Sequence, residues 1–259
     1  MPYAEVNNTR LHYRIDGAEG APVLVLSNSL GTDMGMWDLQ MPAFSERFRV
    51  LRYDCRGHGA SRVTPGPYSI GLLAADVLGL LDSLGIERVD FCGLSLGGMV
   101  GQWLCVHAAE RIGRVVLCNT TAWLGPAALW NNRIEAVRDG GMAAIADGVL
   151  DRWFTAPFLE QPSAALSQAR ATLLNTPADG YVACCAAVRD MDQRQDVSAI
   201  RQPALVISGS EDQATPPADG RFLAERIVGA RYVELSAAHL SNIEEPGRFT
   251  GAALDFLCA

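Results

Sequence analysis

Short, nearly continuous apolar segments that alternate with helix-like segments constrain the fold of this chain most. Such segments suit parallel strands covered on both faces, and they occupy residues 23–27, 50–53, 115–118 and 204–208. Residues 11–15 instead alternate apolar and polar side chains like an antiparallel edge strand, and residues 69–84 carry apolar side chains at helical spacing. Strands alternating with helices predict an α/β fold whose mostly parallel sheet has helices on both faces.

The pattern changes between about Trp123 and Val197, where strand-like segments disappear. Apolar residues recur there at helical spacing, and prolines occur at positions 126, 157, 162 and 177. We therefore predict a helical cap of residues 123–197, inserted into a core formed by residues 1–122 and 198–259. A chain of 259 residues that is 49% hydrophobic is large enough for one such domain.

Charge and cysteine content restrict the partners and the compartment. The 21 basic residues are all arginine and the formal net charge is −8, which argues against nucleic acid or a membrane as partner and favours a small molecule. The seven cysteines form no C-x-x-C pair and are expected to be buried, reduced thiols of a cytoplasmic protein. We predict neither a signal peptide nor a transmembrane helix, and whether the chain forms a homo-oligomer stays open.

The pentapeptide Gly93-Leu94-Ser95-Leu96-Gly97 indicates a chemistry. It has the pattern of the nucleophile elbow of serine hydrolases, a tight strand-to-helix turn that needs small residues two positions away on each side of the serine. The context fits, because residues 88–92 form a strand-like segment and residues 99–109 a helix-like one. We predict that Ser95 is a nucleophile.

A nucleophilic serine needs a histidine to accept its proton, and the chain has four histidines. His12 falls in the edge strand, His107 lies well along a helix, and His58 lies in a glycine-rich loop where a structural role is expected. His239 follows the last strand-like segment, residues 232–235, and so occupies a loop at the carboxyl edge of the sheet. Ligand sites of open α/β sheets form along that edge, so His239 is the predicted base.

The acid that orients the histidine is expected between the serine and the histidine in sequence. Asp212 follows the strand-like segment 204–208 at the same edge of the sheet and is the predicted acid. Glu211 and Asp219 are its competitors.

Backbone N–H groups are expected to bind the oxyanion that forms during attack. One belongs to the residue after the nucleophile, Leu96, and the other to the loop after residues 23–27, where we predict Leu30. Because these donors are main-chain atoms, the assignment rests on position in the chain.

Further segments carry a family resemblance. Residues 26–32 and 152–155 are the more discriminating ones, whereas residues 49–54, 56–59, 118–120 and 206–209 have counterparts in many hydrolases. Through these segments the chain resembles the α/β-hydrolase superfamily from end to end, and more closely the 3-oxoadipate enol-lactonases of aromatic-compound breakdown. The resemblance implies an α/β-hydrolase fold, and opening of a five-membered enol-lactone to 3-oxoadipate through an acyl-enzyme, without metal or organic cofactor.

The substrate that this resemblance implies carries a carboxylate, which needs a cation in a mostly apolar pocket. The predicted cap offers Arg133, Arg138, Arg152, Arg170, Arg189 and Arg194. We choose Arg133, because it lies near Trp123 and Trp130, which are candidates to line the pocket.

Other functions stay open with the same three catalytic residues. A general carboxylesterase, a hydrolase of carbon–carbon bonds and a cofactor-free perhydrolase would all use them, so the pocket must discriminate. A haloalkane dehalogenase is disfavoured, because that chemistry uses a carboxylate where this chain has Ser95. A ligand receptor built on a hydrolase scaffold is the alternative that is not an enzyme, and the intact triad argues against it.

Overall fold

One eight-stranded sheet organises residues 2–259, which are the residues described by the computed structural model. Its strands are β1 (Tyr3–Val6), β2 (Thr9–Asp16), β3 (Val23–Ser27), β4 (Arg49–Tyr53), β5 (Val89–Leu94), β6 (Ile112–Cys118), β7 (Ala204–Gly209) and β8 (Arg231–Leu235). Their order across the sheet is β1-β2-β4-β3-β5-β6-β7-β8. β2 pairs antiparallel with β1 and β4, and all other pairs are parallel, so the predicted mostly parallel sheet is confirmed.

The described residues also form a series of α-helices. They are α1 (Met41–Phe44), α2 (Ile70–Ser83), α3 (Leu96–His107), α4 (Ala127–Gly140), α5 (Ala146–Trp153), α6 (Ala156–Leu159), α7 (Ala164–Asn175), α8 (Ala178–Arg189), α9 (Pro217–Arg226), α10 (Ser241–Glu244) and α11 (Pro246–Leu257). No helix within residues 2–259 has both the length and the apolarity that crossing a membrane requires.

Helices cover both faces of the sheet. The chain moves in one direction across the sheet from β3 to β4, and in the opposite direction from β4 to β5. Because crossovers between parallel strands are right-handed, the connecting helices α1 and α2 lie on opposite faces. α1 contacts α11 on one face, whereas α2 packs against α3 on the other.

Local sequence explains the bounds of α2. The Ser69 hydroxyl caps its first turn by accepting a hydrogen bond from the Leu72 N–H at 3.1 Å. The helix stops before Gly85, whose φ of 64° is a left-handed conformation that glycine adopts without steric cost. Buried apolar side chains at helical spacing face the sheet, namely Leu73, Val77, Leu80 and Leu81.

The centre of the sheet forms the core. Every residue of β7 is buried, as are four of the five residues of β3, which is the pattern of strands covered on both faces. The cysteines are free thiols; six are buried, and Cys258, just after α11, is exposed, unlike the burial expected from the sequence.

Helices α4 to α8 lie in sequence between β6 and β7, and the described residues between those two strands contain no further strand. α4 packs against α8, and α5 against α7. An isolated antiparallel bridge between Trp123 and Asp192 joins the two ends of this segment. We propose that the segment is the cap, with the limits 123–197 that the sequence predicts.

Candidate active site

Ser95 occupies the turn between β5 and α3 with φ 56° and ψ −113°, a conformation that non-glycine residues rarely adopt. A Cβ atom on Gly93 would collide with the backbone of Gly97, and one on Gly97 with the backbone of Ser27. The Ser95 N–H donates to the Cys118 carbonyl at 2.9 Å, which fixes the turn against β6. The glycines at both ends of the pentapeptide therefore permit a turn that presents the serine at the carboxyl edge of the sheet.

Asp212 and His239 form a buried pair at the same edge. Asp212 follows β7 and His239 follows β8, and Nδ1 of His239 lies 2.8 Å from Oδ2 of Asp212. The other carboxylate oxygen accepts from the N–H groups of Ala214 at 2.8 Å and Thr215 at 2.9 Å. Because the carboxylate can only accept, Nδ1 carries the proton, and the lone pair of Nε2 is free to take a proton from a serine.

Electrostatics favour the ionised form of Asp212. Burial opposes ionisation, but the charge of His239 and the hydrogen bonds from His239, Thr215 and Asn119 outweigh it and hold the pKa of Asp212 below its ordinary value. The carboxylate is therefore negative at neutral pH and can stabilise an imidazolium on His239.

Ser95 and His239 line the same cavity, which has a volume of about 460 Å³. No hydrogen bond joins the two side chains in the described structure, whereas the contact between histidine and acid is formed. Catalytic hydrogen bonds are often long before substrate binds. The structure thus brings all three sequence-predicted residues to one place, with the contact between serine and histidine not made.

The backbone N–H groups of Leu30 and Leu96 donate to no acceptor among the described residues. Leu96 is the first residue of α3, where N–H groups have no partner within the helix, and the next amide, that of Gly97, donates to the Asn28 carbonyl at 3.0 Å. Both leucines line the cavity beside Ser95. Two free N–H groups beside a serine hydroxyl are the arrangement that stabilisation of an oxyanion would require.

Two cap arginines, Arg133 and Arg152, line the cavity. The Arg133 guanidinium carbon lies 4.8 Å from the centroid of the Trp130 ring, and Trp130 also lines the cavity. Trp123 is not among the lining residues; its side chain is 42% exposed and lies under the guanidinium of Arg194, 4.5 Å away. Trp123 is therefore set apart from the pocket that the sequence suggested for it.

Tyr181 adds a neutral hydroxyl to this wall of the cavity. Burial raises the pKa of Tyr181, and the nearby Arg133 and Arg152 oppose this only in part. The rest of the wall is largely apolar, with side chains from Leu124, Leu129, Ile145, Val149, Trp153 and Val188. A cavity with an apolar wall and two cations suits a small, partly apolar anion.

The other histidines serve the scaffold. His12 in β2 is buried, and its Nδ1 lies 2.7 Å from Oδ2 of Asp54. His107 is exposed and packs on Trp103 with ring centroids 4.4 Å apart. His58 is buried beneath the cap, and burial lowers its pKa to about 4. None of the three lines the cavity that holds Ser95.

The competing acids are placed less favourably than Asp212. Glu211 is exposed. Asp219, in the first turn of α9, is half-buried, and burial raises its pKa, partly offset by a hydrogen bond from Thr121. Neither acid forms a hydrogen bond or an ion pair with His239 in the described structure.

Cys55, His58 and Cys184 place three potential metal ligands within 4.8 Å of one another, all buried. Nε2 of His58 accepts a hydrogen bond from the Gly31 N–H at 3.0 Å, so the ring proton lies on Nδ1, the atom that faces Cys184 Sγ at 4.0 Å. A hydrogen bond with Cys55 and burial raise the pKa of the Cys184 thiol. Nδ1 of His58 also lies 3.4 Å from the Arg56 carbonyl, so both ring nitrogens already have partners within the protein, and we assign this cluster a packing role between the loop after β4 and α8.

Two residues near the acid escaped the sequence analysis. Thr215 Oγ1 donates to Oδ2 of Asp212 at 2.8 Å, and Asn119 Nδ2 donates to the same oxygen at 3.0 Å. Thr215 had a local signal, because an aspartate in a loop commonly accepts hydrogen bonds from residues two or three positions later. Asn119 lies in the segment 118–120 that carries part of the resemblance, but no local signal linked it to Asp212, since the two are 93 positions apart and only the sheet brings them together.

Comparison with known proteins shows the family to which the chain belongs. A family model described as the α/β-hydrolase fold matches residues 22–246. 3-oxoadipate enol-lactonase 2 of Acinetobacter baylyi is 42% identical, over 93% of this chain and 91% of its own. 3-oxoadipate enol-lactonase 1 of the same organism is 39% identical, over 92% and 90% of the two chains.

A solved structure gives the same result. The crystal structure of the enol-lactonase from Burkholderia xenovorans LB400 matches with a TM-score of 0.98 and 52% identity, and the match covers 100% of both chains. This chain therefore belongs to the α/β-hydrolase fold family, and it is similar in sequence and in structure to enol-lactonases.

Proposed function

We propose that this protein hydrolyses 3-oxoadipate enol-lactone to 3-oxoadipate, with Ser95, His239 and Asp212 as a catalytic triad. One observation carries the chemistry: His239, paired with the buried Asp212, shares a cavity with a serine held at a strained strand-to-helix turn. The choice of substrate comes from the enol-lactonases to which the chain is similar.

In the first half of the reaction, Nε2 of His239 takes the hydroxyl proton of Ser95 as its Oγ attacks the lactone carbonyl carbon. The carbonyl oxygen becomes an oxyanion and accepts hydrogen bonds from the free N–H groups of Leu30 and Leu96. Collapse breaks the ring bond between the carbonyl carbon and oxygen and releases an enolate on the same molecule. The enolate takes the proton from Nε2 of His239 and becomes an enol, so the imidazole is neutral again before the second half. An enolate is a better leaving group than an alkoxide, so ring opening needs little acid assistance.

In the second half, His239 takes a proton from water, and the resulting hydroxide attacks the acyl-enzyme. The ester bond to Ser95 breaks, and the serine regains its proton from His239. Asp212 holds the imidazole and stabilises its charge in both halves. The enol becomes a ketone, which makes ring opening hard to reverse, and no step calls for a metal or an organic cofactor.

The carboxylate of the substrate is met by an arginine of the cap. Arg133 is our first choice because it lines the cavity beside Trp130, and Arg152 lines the same cavity. The net charge of −8 disfavours nucleic acid and anionic membranes as partners and leaves a small molecule as the better choice. We propose a cytoplasmic location, and sedimentation of the purified protein tests whether it is a homo-oligomer.

Steady-state hydrolysis of freshly generated 3-oxoadipate enol-lactone, followed by loss of its ultraviolet absorbance, tests the proposal beside a phenyl ester. We expect kcat/KM for the lactone far above that for the ester. Ser95→Ala should abolish both activities, and Ser198→Ala, a matched change at an exposed serine, should leave both intact. Cleavage of the ester alone would support the triad but refute the lactone as substrate, and it would indicate a carboxylesterase. A Ser95 that does not react with a fluorophosphonate would indicate a receptor.

A further inference from the structure

Asn119 directly follows β6 at the carboxyl edge of the sheet and is 1% exposed. Its φ of 44° is left-handed, a conformation that asparagine tolerates better than most residues. Its N–H donates to the Ile207 carbonyl of β7 at 2.7 Å, so the backbone is fixed on the neighbouring strand. The side chain therefore starts from a rigid and specific position.

The amide of Asn119 connects the two loops that carry the acid and the histidine. Nδ2 donates to Oδ2 of Asp212 at 3.0 Å and to the carbonyl of Ala238 at 3.1 Å. Oδ1 accepts from the Ser241 hydroxyl at 2.6 Å. A carboxylate and a carbonyl can only accept, so the NH₂ group must face them, and the contacts fix which way the amide points.

We propose that Asn119 is a positioning residue of the triad: it holds Oδ2 of Asp212 in line with Nδ1 of His239. It also holds the backbone immediately before His239, so that acid and base move as one unit. The proposal rests on the proposed function of the same three residues. Asn119 does not line the cavity, and it acts on the reaction only through Asp212 and His239.

The hydrogen bonds around Asp212 show why this contact matters. Oδ1 is held by two backbone N–H groups, but Oδ2 is held only by side chains, namely those of His239, Thr215 and Asn119. Thr215 Oγ1 also lies 3.3 Å from His239 Nδ1, so the hydroxyl faces both members of the pair. Asn119 is the donor that anchors Oδ2 to the sheet.

Asn119→Asp keeps the shape of the side chain and its tolerance of the left-handed backbone, but it replaces the carboxamide by a carboxyl group. Burial and the charge of Asp212 raise the pKa of the new carboxyl, which can donate to Asp212 only while it is protonated. As the pH rises, the ionised carboxyl repels Asp212 and displaces it. We expect the ratio of kcat/KM of N119D to that of the wild type to fall by at least about tenfold as the pH rises from about 6 to about 9.

Asn119→Ala removes both donors, and we expect a fall in kcat of at least about tenfold with KM little changed, because the ground-state pocket is untouched. A direct readout is the low-field proton resonance of His239 Nδ1–H, which reports the hydrogen bond to Asp212. We expect this resonance in the wild type and its loss in N119A.

Gln202→Ala is the matched control. Nε2 of Gln202 likewise donates to two carbonyls, those of Cys105 and Ala109, both at 3.1 Å. Gln202 precedes β7, however, and so lies at the opposite end of the sheet from Asp212. Urea denaturation should show that Q202A and N119A both lose stability. Only the Asn119 variants should change the pH profile and the resonance. If they behave like Q202A in both readouts, the positioning role is wrong.

The choice of substrate makes a failure of the Asn119 proposal distinguishable from a failure of the proposed function. The pH profile can be measured with the lactone or with the phenyl ester, whichever the wild type cleaves. If only the ester is cleaved, the lactone proposal fails, while the ester profile of N119D still supports or refutes the role of Asn119. If neither is cleaved, the Nδ1 resonance decides.

Discussion

The backbone N–H of Gly31 donates to Nε2 of His58 across 3.0 Å, and this contact ties the loop that carries Leu30 to the loop after β4. Burial lowers the pKa of His58 to about 4, so the ring is neutral and can accept the bond. Gly31 has φ 82°, and a Cβ there would press on Leu173 and Tyr181 of the cap. A histidine outside the cavity thus supports the position of a proposed oxyanion donor.

His58→Leu tests this support. The substitution leaves the Gly31 N–H without an acceptor in a buried place, which costs about 1–3 kcal/mol of stability, and it frees the loop that carries Leu30. We expect kcat to fall by about tenfold, because about 1.4 kcal/mol of transition-state stabilisation is lost when one donor is misplaced. His107→Leu, at an exposed histidine, is the control. An unchanged kcat in His58→Leu would show that the hydrogen bond between Gly31 and His58 does not contribute to catalysis.

The lowered pKa of His58 also predicts how stability depends on pH. Between the ordinary pKa of 6.5 and the folded value of about 4, the unfolded chain binds a proton that the folded chain does not. The free energy of unfolding should therefore fall as the pH drops through this window, by about 3 kcal/mol in total, and His58 should contribute no pH dependence above it.

Urea denaturation at several pH values, for the wild type and His58→Leu, measures this contribution. Other groups titrate in the same window, but their contributions cancel when the two curves are subtracted. The free energy of unfolding of the wild type minus that of His58→Leu should decrease as the pH falls from 6.5 toward 4, and it should stay constant above pH 6.5. Two parallel curves would contradict a buried neutral His58.

The sequence predicted the central strands well because their chemistry is local. Residues 23–27 coincide with β3, and residues 204–208 are one residue shorter than β7. These strands are buried on both faces, so their apolar segments stand out against polar loops. β1 (Tyr3–Val6) was not predicted, because a four-residue edge strand with exposed positions lacks such a segment.

The site was predictable only where chain order carries information. Ser95, Asp212 and His239 each follow a strand at one edge of the sheet, so their sequence positions imply proximity. Asn119 and His58 act through contacts between distant segments, which no local pattern encodes. Trp123 shows that closeness in sequence can also mislead. It lies ten residues before Arg133 in the chain and was expected in the pocket, but it is partly exposed to solvent.

A buried ion pair between Arg56 and Asp76 joins the loop after β4 to α2. Arg56 Nε donates to Oδ2 of Asp76 at 2.7 Å, and Asn7 Nδ2 donates to its Oδ1 at 2.8 Å. Asp76→Asn should destabilise the protein by about 3–5 kcal/mol, because it leaves the buried guanidinium without its counter-charge. Asp82→Asn, in the same helix at an exposed partner of Arg111, should cost less than about 1 kcal/mol. Urea denaturation that shows equal losses would contradict the burial argument.

Arg133 and Arg152 are the two cations that line the cavity, and the charge of the substrate can tell which of them binds it. A charge-assisted hydrogen bond to a carboxylate is worth about 1.5–3 kcal/mol, so Arg133→Gln should raise KM for the lactone by about 10-fold to 100-fold. Its KM for a neutral phenyl ester should not change, because no carboxylate is lost from that complex. Arg138→Gln, at an exposed arginine of the same helix, α4, is the control. If KM for the lactone is unchanged in Arg133→Gln but raised in Arg152→Gln, then Arg152 of α5, and not Arg133, binds the carboxylate.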